Sequence, residues 1–136
     1  LFRSSPKMSN KKEMIPTEAE LEILSILWEK NPASVREIND ILSEKRALGY
    51  TTTLKMLQIM HKKGFVERDT NQRTHLYKPV IKQKQTQGKL VGELLKRAFK
   101  GSAASLVMQV LGNHKASSDE LDEIKKLIKQ IENEDN

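Results

Sequence analysis

The chain has 136 residues, 37% hydrophobic and only 4% aromatic, with no cysteine and a formal net charge of +6. The lack of cysteine excludes disulfide frameworks, thiolate metal sites and cysteine nucleophiles, and no apolar run approaches the roughly 18 residues of a membrane span. The length suits one domain, or a small domain with a helical arm, and its core must rest on Leu, Ile, Val and Met.

The N-terminus lacks the apolar core of a secretory signal, so a cytoplasmic protein without membrane insertion is expected. Leu1–Lys7 reads as a foreign remnant ahead of a native start at Met8. Residues 1–14 are polar, charged and aperiodic, which predicts disorder. Order begins at Thr17, which has capping-box spacing with Glu20 and follows Pro16. Leu21, Leu24, Leu27 and Trp28 then recur at helical spacing, and Asn31-Pro32 stops this first helix. A second capping box, Ser34 with Glu37, opens a helix with Val35, Ile38, Ile41 and Leu42 as its apolar positions. After a turn containing Gly49, a third helix runs from about Thr51 to Lys63 and ends at Gly64.

Phe65–Arg68 and Thr74–Lys78 have strand-like composition and flank the polar turn Asp69–Arg73, which predicts a β-hairpin ended by Pro79. From Ile81 onward the pattern is helical. Leu90, Val91, Leu94, Leu95, Ala98 and Phe99 form one apolar stripe, broken at Gly101. Leu106, Val107, Val110 and Leu111 form a second. A third capping box, Ser117 with Glu120, opens a last helix carrying Leu121, Ile124, Leu127, Ile128 and Ile131.

Charge is divided along the chain. Lys45–Lys89 holds eleven Lys and Arg against two acids, a balance of +9, whereas Ser118–Asn136 balances at −4. Polyanion binding therefore belongs to the middle of the chain. On the third helix, Thr53, Leu54, Met56, Leu57, Met60 and His61 fall on one side. Thr51, Thr52, Lys55, Gln58, Ile59 and Lys62 fall on the other, at about 100° per residue. Hydroxyl, amide and ammonium groups suit base edges and phosphates, but a polar helix face also simply meets water. The adjacent hairpin, with Arg68, Asn71, Arg73, His75 and Lys78, tips the balance toward DNA. The candidate DNA-binding set is thus Thr51, Thr52, Lys55, Gln58, Lys62, Arg68, Asn71, Arg73 and His75.

The competing chemistries find little material. His61, His75 and His114 lie on separate elements with no cysteine between them, so no metal and no cofactor are expected. Neither a phosphate-cradling glycine loop nor a nucleophile elbow is present, and the chain does not read as an enzyme. A winged-helix protein-interaction module would need apolar or acidic residues on the outer face of the third helix, where only Ile59 qualifies. A ligand-sensing repressor is the other alternative, for which so few aromatics leave little pocket material.

The order helix, helix, turn, helix, hairpin is that of a winged helix-turn-helix. The run Pro16-Thr17-Glu18-Ala19-Glu20-Leu21-Glu22-Ile23-Leu24, with Leu27-Trp28, Lys62-Lys63-Gly64 and Tyr77-Lys78-Pro79, resembles the penicillinase-repressor family of BlaI, MecI and CopY type. The resemblance covers about Ile15 to Glu132. It implies a mainly α fold with a small β-hairpin: a winged-helix DNA-binding domain, here 15–80, and a C-terminal helical dimerisation domain, here 81–136. It implies a transcriptional repressor that binds a palindromic double-stranded operator as a homodimer. Leu90, Leu94, Leu106, Val110, Leu121, Ile124, Leu127, Ile128 and Ile131 are the expected interface. It also implies induction through a membrane sensor-protease that leads to cleavage in the dimerisation region. The matching positions are Gln109 and Val110, which depart from the Asn-Phe pair of the β-lactam branch. The absent cysteines exclude the copper-responsive branch.

Overall fold

The structure, a computed structural model, describes residues 14–135. The expected disorder of 1–14 and the remnant Leu1–Lys7 lie outside the described residues except for Met14, which is half-buried against the core. The chain divides into two compact units at Val91–Gly92.

In the first unit, helix α1 (Glu18–Glu29) opens with the expected capping box: Glu20 N–H donates to Thr17 Oγ1 at 3.2 Å, and Thr17 N–H to Glu20 Oε1 at 2.9 Å. Its buried face is Glu20, Ile23, Leu24 and Leu27, which leaves Leu21 and Trp28 half-buried. A glutamate heads this face because its other oxygen also has a partner, Lys63 Nζ at 2.7 Å. Trp28 uses its indole N–H on Ile81 O, 3.0 Å away, so its half-burial satisfies both its ring and its polar tip.

Strand β1 (Ala33–Ser34) leads directly into α2 (Val35–Ser43). The extended backbone that Ser34 needs as N-cap of α2 also lets it pair with Leu76, which makes the expected hairpin part of a three-stranded sheet. Helix α3 (Tyr50–Lys63) follows, then β2 (Val66–Asp69) and β3 (Leu76–Pro79), in the order β1-β3-β2, all antiparallel. The strands begin one or two residues later than composition predicts. Phe65 N–H is occupied in closing α3, where it donates to Met60 O at 2.9 Å. The core joins Ile23, Leu24 and Leu27 of α1 to Ile38, Leu57, Met60, Phe65, Val66 and Tyr77. This is a winged helix-turn-helix, mainly α with one small sheet.

Helix α4 (Gln83–Ala98) runs across the division, and α5 (Ala103–Asn113) and α6 (Ser118–Glu134) make up the rest of the second unit. Gly101, at φ 82°, turns the chain between α4 and α5. Ser102 and Ser117 accept from Ser105 and Glu120 N–H, each at 3.1 Å, the latter being the serine half of the expected box. None of the described residues of α5 or α6 is buried.

Candidate nucleic-acid interface

Helix α3 has two faces of different character. Thr53, Leu57 and Met60 are buried, and Leu54, Met56 and His61 are half-buried. Thr51, Thr52, Lys55, Gln58, Ile59 and Lys62 are all exposed. The polar groups of the outer face are therefore free of the packing that fixes the inner one.

Three devices set the position of α3. Asn39 of α2 faces the turn before it; with its amide nitrogen turned inward it donates to Leu48 O at 3.1 Å and Gly49 O at 3.2 Å, and lies 2.6 Å from Thr53 Oγ1. Asn39 is not among the residues that sequence reasoning singles out; its one signal is that asparagine is a poor residue for a helix interior. At the other end, Gly64 takes φ 85°, its N–H donating to His61 O at 3.1 Å while Phe65 N–H donates to Met60 O. This paired closure turns the chain straight from α3 into β2, and only glycine adopts that backbone cheaply. Finally, Lys63 at the last turn holds Glu20 at the first turn of α1.

The hairpin is organised by Asp69, whose Oδ1 accepts from Asn71 N–H at 2.9 Å to form the turn. Arg68, Asn71, Arg73 and His75 are exposed. Arg68 lies close enough to α3 to affect His61: burial first, and the Arg68 charge second, lower the imidazole pKa below its ordinary 6.5. At the other end, Arg73 and His75 share a cleft with Tyr50 and Leu54 of α3. The hairpin thus borders α3 at His61 and again at Tyr50 and Leu54, and these three α3 residues lie outside the candidate set.

Not every cation of the basic stretch is available. Arg46 donates twice to Glu22, at 3.1 and 2.8 Å, and this fork holds the Glu22 carboxyl below its usual range. Lys63 is committed to Glu20, and Lys78 pairs across the strands with Glu67 at 3.2 Å. Among the described residues no carboxylate lies within ion-pair distance of Lys55, Lys62, Arg68 or Arg73. Sequence spacing could not reveal these partners, since Arg46–Glu22 and Lys63–Glu20 span 24 and 43 residues.

The expected dimerisation residues are exposed or half-buried. Leu94, Val110, Leu121, Leu127, Ile128 and Ile131 are exposed, whereas Leu90, Leu106 and Ile124 are half-buried. Leu90 precedes the division between the units and the others follow it. Gln109 and Val110 sit on exposed positions of α5, and Gln109 Oε1 accepts from Asn113 Nδ2 at 2.9 Å. Among the described residues no acid–histidine cluster suits a metal ion, and no helix is long and apolar enough to cross a membrane.

The sequence profile described as penicillinase repressor matches residues 16–130. The chain is similar to the methicillin resistance regulatory protein MecI of Mammaliicoccus sciuri, 26% identical over 121 residues, which cover 89% of this chain and 98% of that protein. It is also similar to the transcriptional regulator BlaI of Mycobacterium tuberculosis, 27% identical over 117 residues, 85% of this chain and 83% of that one. Among solved structures it is similar to a MarR/EmrR family transcriptional regulator from Acinetobacter sp. ADP1, with TM-score 0.43 and 20% identity, covering 94% of this chain and 82% of that one.

Proposed function

This chain belongs to the penicillinase-repressor family, and from that premise we propose how it represses. A homodimer grips a palindromic double-stranded operator, with α3 of each protomer in a major groove and each hairpin along the phosphates. The coarser statement stands on the family itself: the protein is a transcriptional repressor and not an enzyme.

The observation that carries the finer reading is the pairing of the exposed α3 face with a hairpin whose arginines have no carboxylate in reach among the described residues. Thr51 and Thr52 lie at the N-terminal end of α3, where the helix dipole favours a polyanion. Lys55, Gln58 and Lys62 continue the same face. Ile59, 43% exposed, has the chemistry to meet a thymine methyl. A protein-interaction surface is disfavoured because this face holds no acid and only that one apolar residue.

Dimerisation is supported by uncovered apolar surface. Leu127, Ile128 and Ile131 are each more than half exposed, and contiguous apolar surface of this kind marks an interaction site. Two modules on a two-fold axis would read half-sites about 34–36 Å apart or a multiple of that.

Induction by a membrane sensor-protease is the family's implication for Gln109–Val110. Their exposure on α5 favours access, while the hydrogen-bonded helix must open before a protease takes the backbone. Incubating the repressor with membranes that carry the sensor, and sequencing the fragments, tests it.

The test of the main reading uses full-length protein, sedimentation, and a duplex selected from a random pool. The wild type is expected to sediment as a dimer at micromolar concentration and to bind the selected duplex. Ile128→Glu places a charge in the apolar face and should give a monomer with the first unit folded and affinity for the selected duplex lost. A monomeric wild type, or a variant that stays dimeric, would overturn the proposed dimer.

A further inference from the structure

Between the start of α2, the start of α3 and the far end of the hairpin lies a cleft of about 550 Å³, a size that suits a small molecule. Arg36, Arg73 and His75 stand on its wall, and no carboxylate lines it. Val35, Leu54 and the Tyr50 ring supply apolar surface. The Arg36 guanidinium lies 5.7 Å from the centroid of that ring, which orients its fork.

The chain has two tyrosines, and both Tyr50 and Tyr77 line this cleft. The scarcity of aromatics argues against an effector pocket only until folding gathers them. Tyr77 is fully buried, and among the described residues its hydroxyl is the buried side-chain polar atom that finds no hydrogen-bond partner. Buried polar atoms are seldom left so.

We propose that this cleft binds a small organic anion, a carboxylate on an apolar body about the size of one ring, and that its occupation weakens the grip on DNA. The carboxylate would be held by Arg36 and Arg73, and the apolar body by Val35, Leu54 and Tyr50. The coupling rests on the reading of the hairpin as a DNA contact: Arg73 cannot serve a backbone phosphate and a bound carboxylate at once. A DNA phosphate is the other source of the same oxyanion chemistry, but it brings no apolar body to the remaining wall.

The test is a titration of ¹⁵N-labelled full-length protein with benzoate, without DNA, and a parallel titration with inorganic phosphate at matched ionic strength. Saturable amide shifts confined to the cleft are expected with benzoate and not with phosphate. Arg36→Ala should weaken benzoate by about tenfold or more, the loss of one charge-assisted partner. Arg73→Ala, which removes the other proposed partner of the carboxylate, should also bind benzoate less well. Anisotropy of a labelled duplex should then fall as benzoate saturates the wild type, but not Arg36→Ala. Absence of saturable benzoate shifts, equal response to phosphate, or full benzoate affinity in both variants would overturn the proposal. If benzoate binds but Arg73→Ala leaves DNA affinity intact, the hairpin reading and the coupling fall while the anion site stands. If DNA binding behaves as proposed and benzoate does not bind, the cleft alone is refuted.

Discussion

Replacing Arg73 or Arg46 by alanine removes the same charge from the same basic stretch and should give different results. Four cations of the proposed face, Lys55, Lys62, Arg68 and Arg73, have no ion-pair partner among the described residues. If each meets a phosphate, a dimer makes eight such contacts. At about −0.9 per contact the plot of log affinity against log salt has a slope near −7, and affinity falls by about 10³–10⁵ between 50 and 200 mM salt. Arg73→Ala deletes one contact per protomer and should reduce the slope by about 2 per dimer. Arg46 is already held twice by Glu22, so Arg46→Ala should leave the slope unchanged. Fluorescence anisotropy of a labelled duplex across that salt range reads both. Equal loss of slope in the two variants would show that the pairing does not decide which cations meet DNA. A flat wild-type plot would remove phosphate contacts altogether.

Thr52→Ala should lower discrimination between the selected and a random duplex by about 1–3 kcal/mol if a base contact is lost; equal losses on both duplexes would make Thr52 a backbone contact. Gly64→Ala places a side chain at φ 85°, at a cost of about 1–2 kcal/mol, and should lower the melting temperature of the first unit by roughly 5–15 °C. An unchanged melting temperature would mean that the turn into β2 relaxes freely. His61, whose pKa is lowered in the fold, favours the neutral imidazole, so its contribution to stability is full above pH 6.5 and is lost as pH falls through the folded-state value. Chemical denaturation of His61→Gln should therefore show a flatter decline below pH 6.5 than the wild type, and parallel curves would exclude His61 as the source.

The first unit was legible where local rules act alone. Thr17–Glu20 and Ser34–Glu37 form capping boxes because each needs only two residues three apart. The inner and outer faces of α3 follow from helical geometry, and Gly64 from the left-handed backbone that ends a helix. What escaped depended on distant partners. Glu20 joins the buried face of α1 because Lys63 reaches it from another helix, and no periodicity makes a carboxylate apolar. Ala33–Ser34 is too short for alternation to register, and only the arrival of Leu76–Tyr77 makes it a strand. The candidate interface was legible as a set of residue types, whereas the removal of Arg46, Lys63 and Lys78 from the available charge was not.

The exposed faces of the second unit connect dimerisation to induction on the proposed reading. Leu121, Leu127, Ile128 and Ile131 lie on α6, beyond Gln109 and Val110. A cut between those two residues would separate all of α6 from the DNA-binding unit and strip each protomer of its most regular apolar face. Each winged helix would keep its α3 and hairpin, so the contacts to a half-site would remain chemically intact. What disappears is the linkage of two half-site contacts, which contributes a factor of about 10²–10⁴ in affinity when geometry permits both. Repression must compete with a genome of non-specific sites, and a loss of that size releases an operator without altering any base-reading residue. A repressor with a modest module and a severable helix therefore needs no conformational change in α3 to be switched off.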